Sequence, residues 1–157
     1  MLKGFYVEKI QKKRTSVICV KNDALLTFVG IDPSTQQRII FHPGGKPNEG
    51  ESLPECAQRE TFEETGYRVK VESSITVIKK YDFIWNKILY DCETHFYFAH
   101  LLNESNSKIY DVDYNRGIFW CPLSKLSQHL GYCASILEAT KEILSLSYKA
   151  QQGSNLD

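Results

Sequence analysis

Several features are scarce or absent in this 157-residue chain, and each absence excludes a class of protein. Acidic and basic residues balance at 19 each, so no net charge biases the chain toward nucleic acid or a membrane surface. No apolar run reaches the roughly 18 residues of a membrane-spanning helix, and the N-terminus lacks the apolar core of a signal peptide. We therefore expect a soluble, cytoplasmic protein with no membrane partner.

Paired-cysteine motifs are also absent. The five cysteines form no C-x-x-C pair and are odd in number: Cys19, Cys56, Cys92, Cys121 and Cys133. Neither a zinc site nor a disulfide framework is indicated, and we predict reduced, mostly buried thiols. No repeat, linker or low-complexity block divides the chain, so we predict one domain over residues 1–157 and leave its oligomeric state open.

The most informative segment is a predicted helix in the middle of the chain. Ser52 and Glu55 have the spacing of a capping box, and Pro54 follows in the first turn, where a missing N–H costs nothing. Gly66 suits the left-handed conformation that ends many helices. These signals predict a helix over Leu53–Thr65.

The end of this helix is rich in glutamate. Glu60, Glu63 and Glu64 are related as i, i+3 and i+4, so they lie on one face. Three carboxylates so close repel one another, and Arg59 offsets only part of that repulsion. Hard oxygen ligands suit Mg²⁺, with Mn²⁺ as a substitute. The alternative is an ordinary solvated acidic face.

Together with Gly45 and Glu51, the run Arg59-Glu60-Thr61-Phe62-Glu63-Glu64-Thr65-Gly66 resembles the Nudix box, over Gly45 to Tyr67. The resemblance implies an α/β fold, an α/β/α sandwich around a mixed β-sheet. It also implies a metal-dependent hydrolase that cleaves the pyrophosphate bond of a nucleoside diphosphate linked to another moiety.

The resemblance assigns roles to individual residues. Arg59 orients a neighbouring glutamate, Glu51 orients a ligand or a water molecule, and the general base is left open among the glutamates. We also expect two residues to contact substrate. The catalytic candidates are Glu51, Arg59, Glu60, Glu63 and Glu64, the metal ligands are Gly44, Glu60, Glu63 and Glu64, and the substrate contacts are Lys46 and Tyr81.

Other residues are weaker candidates. Nudix relatives often recruit another carboxylate from a loop, and Glu104, Asp111 and Asp113 are available for that role, although an acidic loop residue is more often solvated than catalytic. A nucleobase would stack on an aromatic ring, and four rings are available: Tyr81, Phe83, Trp85 and Trp120, of which we interpret Trp120 as structural first. His42 is also interpreted as structural.

The preferred substrate is a nucleoside or deoxynucleoside triphosphate, cleaved to monophosphate and pyrophosphate. Tyr81 lies near the tyrosine associated with diadenosine polyphosphate hydrolases, which leaves that class open. A non-catalytic module that binds nucleotides or RNA ends is the other alternative. Binding of an RNA 5′ end would require a row of basic residues for the backbone phosphates. The one obvious basic cluster is interpreted as a solvated face and consists of Lys9, Lys12, Lys13 and Arg14.

Hydrophobic and β-branched runs predict the remaining elements. A C-terminal helix is expected over Cys133–Ser147, with frayed residues over Gln151–Asp157. The predicted strands are Thr15–Lys21, Ala24–Gly30, Arg38–Phe41, Tyr67–Val71, Ile75–Tyr81, Glu93–Leu102 and Gly117–Cys121.

Overall fold

The computed structural model describes residues 8–107, 109 and 113–154. A short 3₁₀ turn lies at Leu123–Lys125. The strands are β1 (Ile10–Ile18), β2 (Val20–Lys21), β3 (Ala24–Ile31), β4 (Arg38–Phe41), β5 (Val69–Trp85), β6 (Ile88–Leu101) and β7 (Asn115–Pro122), and the helices are α1 (Leu53–Thr65), α2 (Leu126–Leu130) and α3 (Ala134–Ser154).

These strands form two sheets. The first is mixed, because β6 pairs in parallel with β1 and antiparallel with β5. In the second sheet β3 pairs antiparallel with β2, β4 and β7. The predicted mixed sheet is present, and a second, antiparallel sheet accompanies it.

Side-chain alternation along the strands places helices on both faces. Val17 of β1 and Cys19, the residue after the strand, belong to the apolar cluster that contains Ala57 of α1. Ile18, between them, belongs to the cluster that contains Ile143 of α3. Successive strand residues point to opposite faces, so one short apolar run supplies both cores. The predicted α/β/α sandwich is confirmed.

One long hairpin differs from the prediction. Tyr67–Val71 and Ile75–Tyr81 were expected as two strands, but β5 is continuous from Val69 to Trp85, with a register shift between Glu72 and Thr76. Its turn to β6 uses two non-glycine residues with positive φ, Asn86 at 50° and Lys87 at 65°. This pair lacks the glycine that marks most two-residue hairpins, so the sequence pattern understated the strand.

The C-terminal helix is also longer than expected. α3 continues to Ser154, so the prediction of fraying is wrong for residues 151–154, and 155–157 lie outside the described residues. Ser154 donates its hydroxyl to the carbonyl of Ala150, one turn earlier. The short helix α2 was not predicted. None of the described helices is long and apolar enough to span a membrane.

Candidate active site

Helix α1 has the predicted bounds and both predicted caps. The Glu55 N–H donates to Ser52 Oγ, and the Ser52 N–H donates back to the Glu55 carboxylate, each at 3.2 Å. Gly66 ends the helix at φ 74°, and its N–H donates to the Phe62 carbonyl. Local chemistry therefore sets where the glutamate face begins and ends.

Arg59 holds three carboxylates at the surface of α1. Its Nε and Nη2 donate to the two oxygens of Glu51 at 2.7 and 2.9 Å. Its Nη1 donates to Glu60 and to Glu63, each at 3.0 Å. The hydrogen bonds from Arg59 lower the pKa of Glu51 to about 2. Every charged group of this cluster thus has a partner of opposite charge.

Glu64 lies in different surroundings, with 1% of its surface exposed. Its carboxylate accepts hydrogen bonds from the Gly44 N–H at 2.8 Å and from the Tyr114 hydroxyl at 3.1 Å. Burial raises the pKa of Glu64 well above its usual range; the Gly44 bond opposes this and nearby Glu60 adds to it. Two neutral donors do not neutralise a buried carboxylate, so this position favours an additional cation.

The glycine loop before α1 packs too closely to admit a side chain. A Cβ on Gly44 would lie 1.9 Å from the Thr15 carbonyl oxygen, and one on Gly45 would lie 2.6 Å from the Glu60 carboxyl carbon. The Thr15 N–H donates to the Gly45 carbonyl at 2.8 Å, which fixes the loop on β1. The Gly44 contact is with backbone, so only glycine fits there, whereas a side chain on Gly45 would displace the Glu60 carboxylate.

An aromatic cavity of about 120 Å³ opens beside Glu64. Phe41 is its central ring, with centroids 5.2 Å from Trp85 and 6.2 Å from Phe83. Trp85 and Phe83 reach it because β5 extends to the unpredicted hairpin. The lining residues are Lys12, Arg14, Phe28, Phe41, Glu64, Phe83, Trp85, Tyr90, Cys92 and Tyr114. Rings next to a carboxylate cluster match what a nucleotide requires.

Comparison with known families decides the identity of this arrangement. A model of the NUDIX domain matches residues 12–140. The chain belongs to the Nudix family. It is therefore a hydrolase that acts on phosphoric anhydrides of nucleoside diphosphate derivatives, as the resemblance implied.

Solved structures support the fold. A NUDIX hydrolase from Nitrosomonas europaea is 15% identical with a TM-score of 0.66, covering 87% of this chain and 90% of its own. The MutT protein from Methanosarcina mazei Go1 is 18% identical, with a TM-score of 0.65 and coverage of 90% and 99%. A C. elegans Ap4A hydrolase is 14% identical, with a TM-score of 0.68 and coverage of 88% and 98%. Comparison with curated proteins gives no significant match.

Nudix hydrolases generally need divalent metal ions, and the oxygen donors here suit one. Among the described residues no three acidic, histidine or cysteine side chains already converge on one point. Glu60 and Glu63 are held by Arg59, whereas Glu64 accepts from Gly44. The donor chemistry of these carboxylates matches a divalent ion.

The two predicted substrate contacts have different surroundings. Lys46 is exposed beside the helix, and its carbonyl accepts from Arg59 at 3.2 Å. Tyr81 shares a hydrogen bond with Thr94 at 2.8 Å and lines a cavity of about 20 Å³ that also borders Arg14. Tyr81 thus faces the region beside the aromatic cavity.

The weaker candidates lie in several places. Glu104 and Asp113 are exposed, and Asp111 lies outside the described residues. Trp120 packs on Tyr67 with ring centroids 5.5 Å apart, on the α1 side of the sheet. His42 is buried and bonded to the Thr140 hydroxyl at 2.7 Å, in keeping with a structural role.

Two features of the site were missed by sequence reasoning. The basic cluster near the N-terminus was interpreted as a solvated face, which is wrong for Arg14, because its Nε is buried. Successive side chains of β1 point to opposite faces of the sheet, so Arg14 points inward on the same face as Lys12. The two-residue spacing of these cations was the sequence signal for this orientation. Tyr114 was also missed, and nothing in its local sequence distinguishes it.

Proposed function

We propose that this Nudix hydrolase is a nucleoside or deoxynucleoside triphosphate pyrophosphohydrolase that works with Mg²⁺, or with Mn²⁺ as a substitute. The observation that carries the proposal is the aromatic cavity directly beside Glu64. One nucleobase stacked on Phe83 and Trp85 would bring its phosphates to the glutamates of α1.

The residues of α1 and its preceding loop then divide the work. Glu60, Glu63, Glu64 and the Gly44 carbonyl are the candidate metal ligands. A divalent ion bound there would neutralise anhydride oxygens and acidify an attacking water. A glutamate of the cluster accepts the proton from that water.

Residues around the cluster orient its members. Arg59 sets the carboxylate of Glu51, which is bonded to it through both oxygens. Glu51 then directs a ligand or a water molecule. Lys46, exposed in the loop before α1, meets the charge of the leaving pyrophosphate, and Tyr81 contacts the nucleoside side of the substrate.

A second candidate function is hydrolysis of diadenosine polyphosphates. An open groove of about 860 Å³ lies along the other side of α1 and is bordered by Arg59, Glu63, Phe62 and Arg68. Arg68, which lies over the Phe62 ring at 4.1 Å, would offer a cation and a planar surface to a second nucleotide half. The aromatic cavity favours one nucleotide, whereas this groove would be required for two.

The test measures phosphate and pyrophosphate release from a panel of substrates: nucleoside triphosphates, dinucleoside polyphosphates, nucleotide sugars and capped RNA. Each is assayed with Mg²⁺, with Mn²⁺ and with EDTA. We expect metal-dependent release of pyrophosphate from triphosphates. Cleavage of dinucleoside polyphosphates alone would favour the second candidate, and tight binding without turnover would favour a nucleotide sensor.

Substitution of Glu60 tests the mechanism. Glu60→Gln keeps the size of the side chain and removes its charge, so turnover should fall by at least about 100-fold. Glu49→Gln is the matched control, because Glu49 is exposed in the loop before α1. An unchanged rate in the Glu60 variant would rule out the proposed role of the cluster.

A further inference from the structure

Two cations on β1 face the aromatic cavity. Lys12 and Arg14 are two residues apart on one strand, so their side chains share a face, and both line the cavity beside Glu64. Lys13, between them, is exposed and paired with Glu93 at 3.7 Å. The strand thus separates a solvated lysine from two inward-facing cations.

Arg14 has no protein partner in the part of the chain that the structure describes. Its Nε is buried and makes no hydrogen bond, and no carboxylate there lies within 4.0 Å of its nitrogens. Glu64 borders the same cavity but is already bonded to Gly44 and Tyr114. A buried guanidinium N–H without an acceptor is costly unless a ligand supplies one.

Lys12 is in a similar position. Its Nζ lies 4.7 Å from the centre of the Tyr90 ring, which offers a face but no countercharge. Among the described residues Lys12 also lacks an ion pair. Two cations and one carboxylate leave the cavity with an excess of positive charge. A base carbonyl would give Arg14 an acceptor but would leave this charge in place, whereas a phosphate would do both.

We propose that Lys12 and Arg14 form an anion site that binds the phosphate nearest the nucleoside. The assignment of that anion to substrate rests on the proposed function, but the site itself rests on the two unpaired cations. It would hold the nucleotide by charge in the cavity where the aromatic rings hold it by stacking. Arg14 acts through both its fork of donors and its charge, and Lys12 through its charge alone.

Binding of inorganic tripolyphosphate in EDTA tests the site without hydrolysis or metal. Fluorescence of Trp85, in the cavity wall, and calorimetry report the binding. We expect Arg14→Met and Lys12→Met to weaken tripolyphosphate at least about tenfold, with Arg14→Lys intermediate. Lys13→Met, on the opposite face of β1, should bind like the parent protein.

Thermal unfolding shows whether a variant that loses tripolyphosphate binding is still folded. Arg14→Met removes a buried, unpartnered charge, so its midpoint should equal or exceed that of the parent. Tripolyphosphate should raise the midpoint of the parent and leave that of the variant unchanged. Equal tripolyphosphate binding by parent and Arg14→Met would overturn the proposal. So would a dependence of adenosine binding, but not tripolyphosphate binding, on Arg14.

The proposed pyrophosphohydrolase function and the proposed anion site can be disproved independently of each other. Glu60→Gln should lose turnover and keep tripolyphosphate binding, because Glu60 does not line the cavity. If the substrate panel shows no hydrolysis while binding still depends on Arg14, the pyrophosphohydrolase assignment fails and the anion site stands. If hydrolysis is normal in Arg14→Met and Lys12→Met at low substrate, the anion site fails.

Discussion

Arg59 on α1 and Arg14 on β1 lie near different glutamates of the site and have contrasting surroundings. Arg59 donates to three carboxylates, those of Glu51, Glu60 and Glu63. Arg14 has a buried Nε with no partner. The saturated arginine orders protein groups, whereas the unsatisfied one has donors available for a ligand.

The difference also concerns stability. A guanidinium with three carboxylates lowers the repulsion that glutamates one turn apart would otherwise suffer. A buried cation without partners costs stability, and folded proteins tolerate such a cost where function requires it. Removing Arg59 should therefore lower the stability of the folded state, whereas removing Arg14 should not lower it and can raise it.

The largest expected effect is that of Arg59→Met. Loss of the bidentate bond to Glu51 and of the bonds to Glu60 and Glu63 should lower turnover by about 100-fold. The unfolding free energy should fall by about 1 to 3 kcal/mol, between the values of exposed and buried ion pairs. Steady-state kinetics and denaturant unfolding measure both.

Arg38→Met provides the control for this change, since Arg38 is exposed on β4. A rise in activity in Arg59→Met would break the comparison. It would mean that Arg59 competes with the metal for Glu60 and Glu63 and does not orient them productively.

Trp85→Leu should have a smaller effect, and it tests whether stacking is separate from anion binding in the cavity that Arg14 lines. Loss of one stacking ring should weaken nucleotide binding about tenfold, because base stacking contributes about 1–3 kcal/mol. Tripolyphosphate binding, measured by calorimetry, should stay unchanged. Ile84→Ala is the control, since Ile84 is the neighbouring residue on β5 and is 64% exposed. Equal losses for both ligands would contradict separate stacking and anion sites.

The smallest effect concerns pH. Arg59 lowers the pKa of Glu51 from 4.5 to about 2, so the folded state binds this proton less readily than the unfolded state. The resulting stability is fully present above about pH 4.5 and is lost as the pH falls toward 2. Glu51→Gln should therefore reduce the loss of thermal stability between those limits. An identical acid dependence in variant and parent would show that Arg59 does not stabilise the ionised Glu51.

Local signals were sufficient for part of the fold. The bounds of α1 follow from Ser52, Glu55 and Gly66, which act within one turn of the backbone they cap. The β5–β6 hairpin was harder to predict because Asn86 and Lys87 adopt positive φ without a glycine. Because the strand was predicted to end at Tyr81, its extension, which places Phe83 and Trp85 at the cavity, was not predicted.

The sequence by itself determined the helix, its glutamate face and the family, because these depend on spacing within about two dozen residues. Tertiary structure alone decided that Tyr114 would donate to Glu64, 50 residues away, and that the Nε of Arg14 would be buried. Arg14 pairs in register with Thr94, and that parallel contact between β1 and β6 turns a basic stretch into one cavity wall. Local propensity carries no information about such pairing, because it depends on which distant strands meet and which faces they bury.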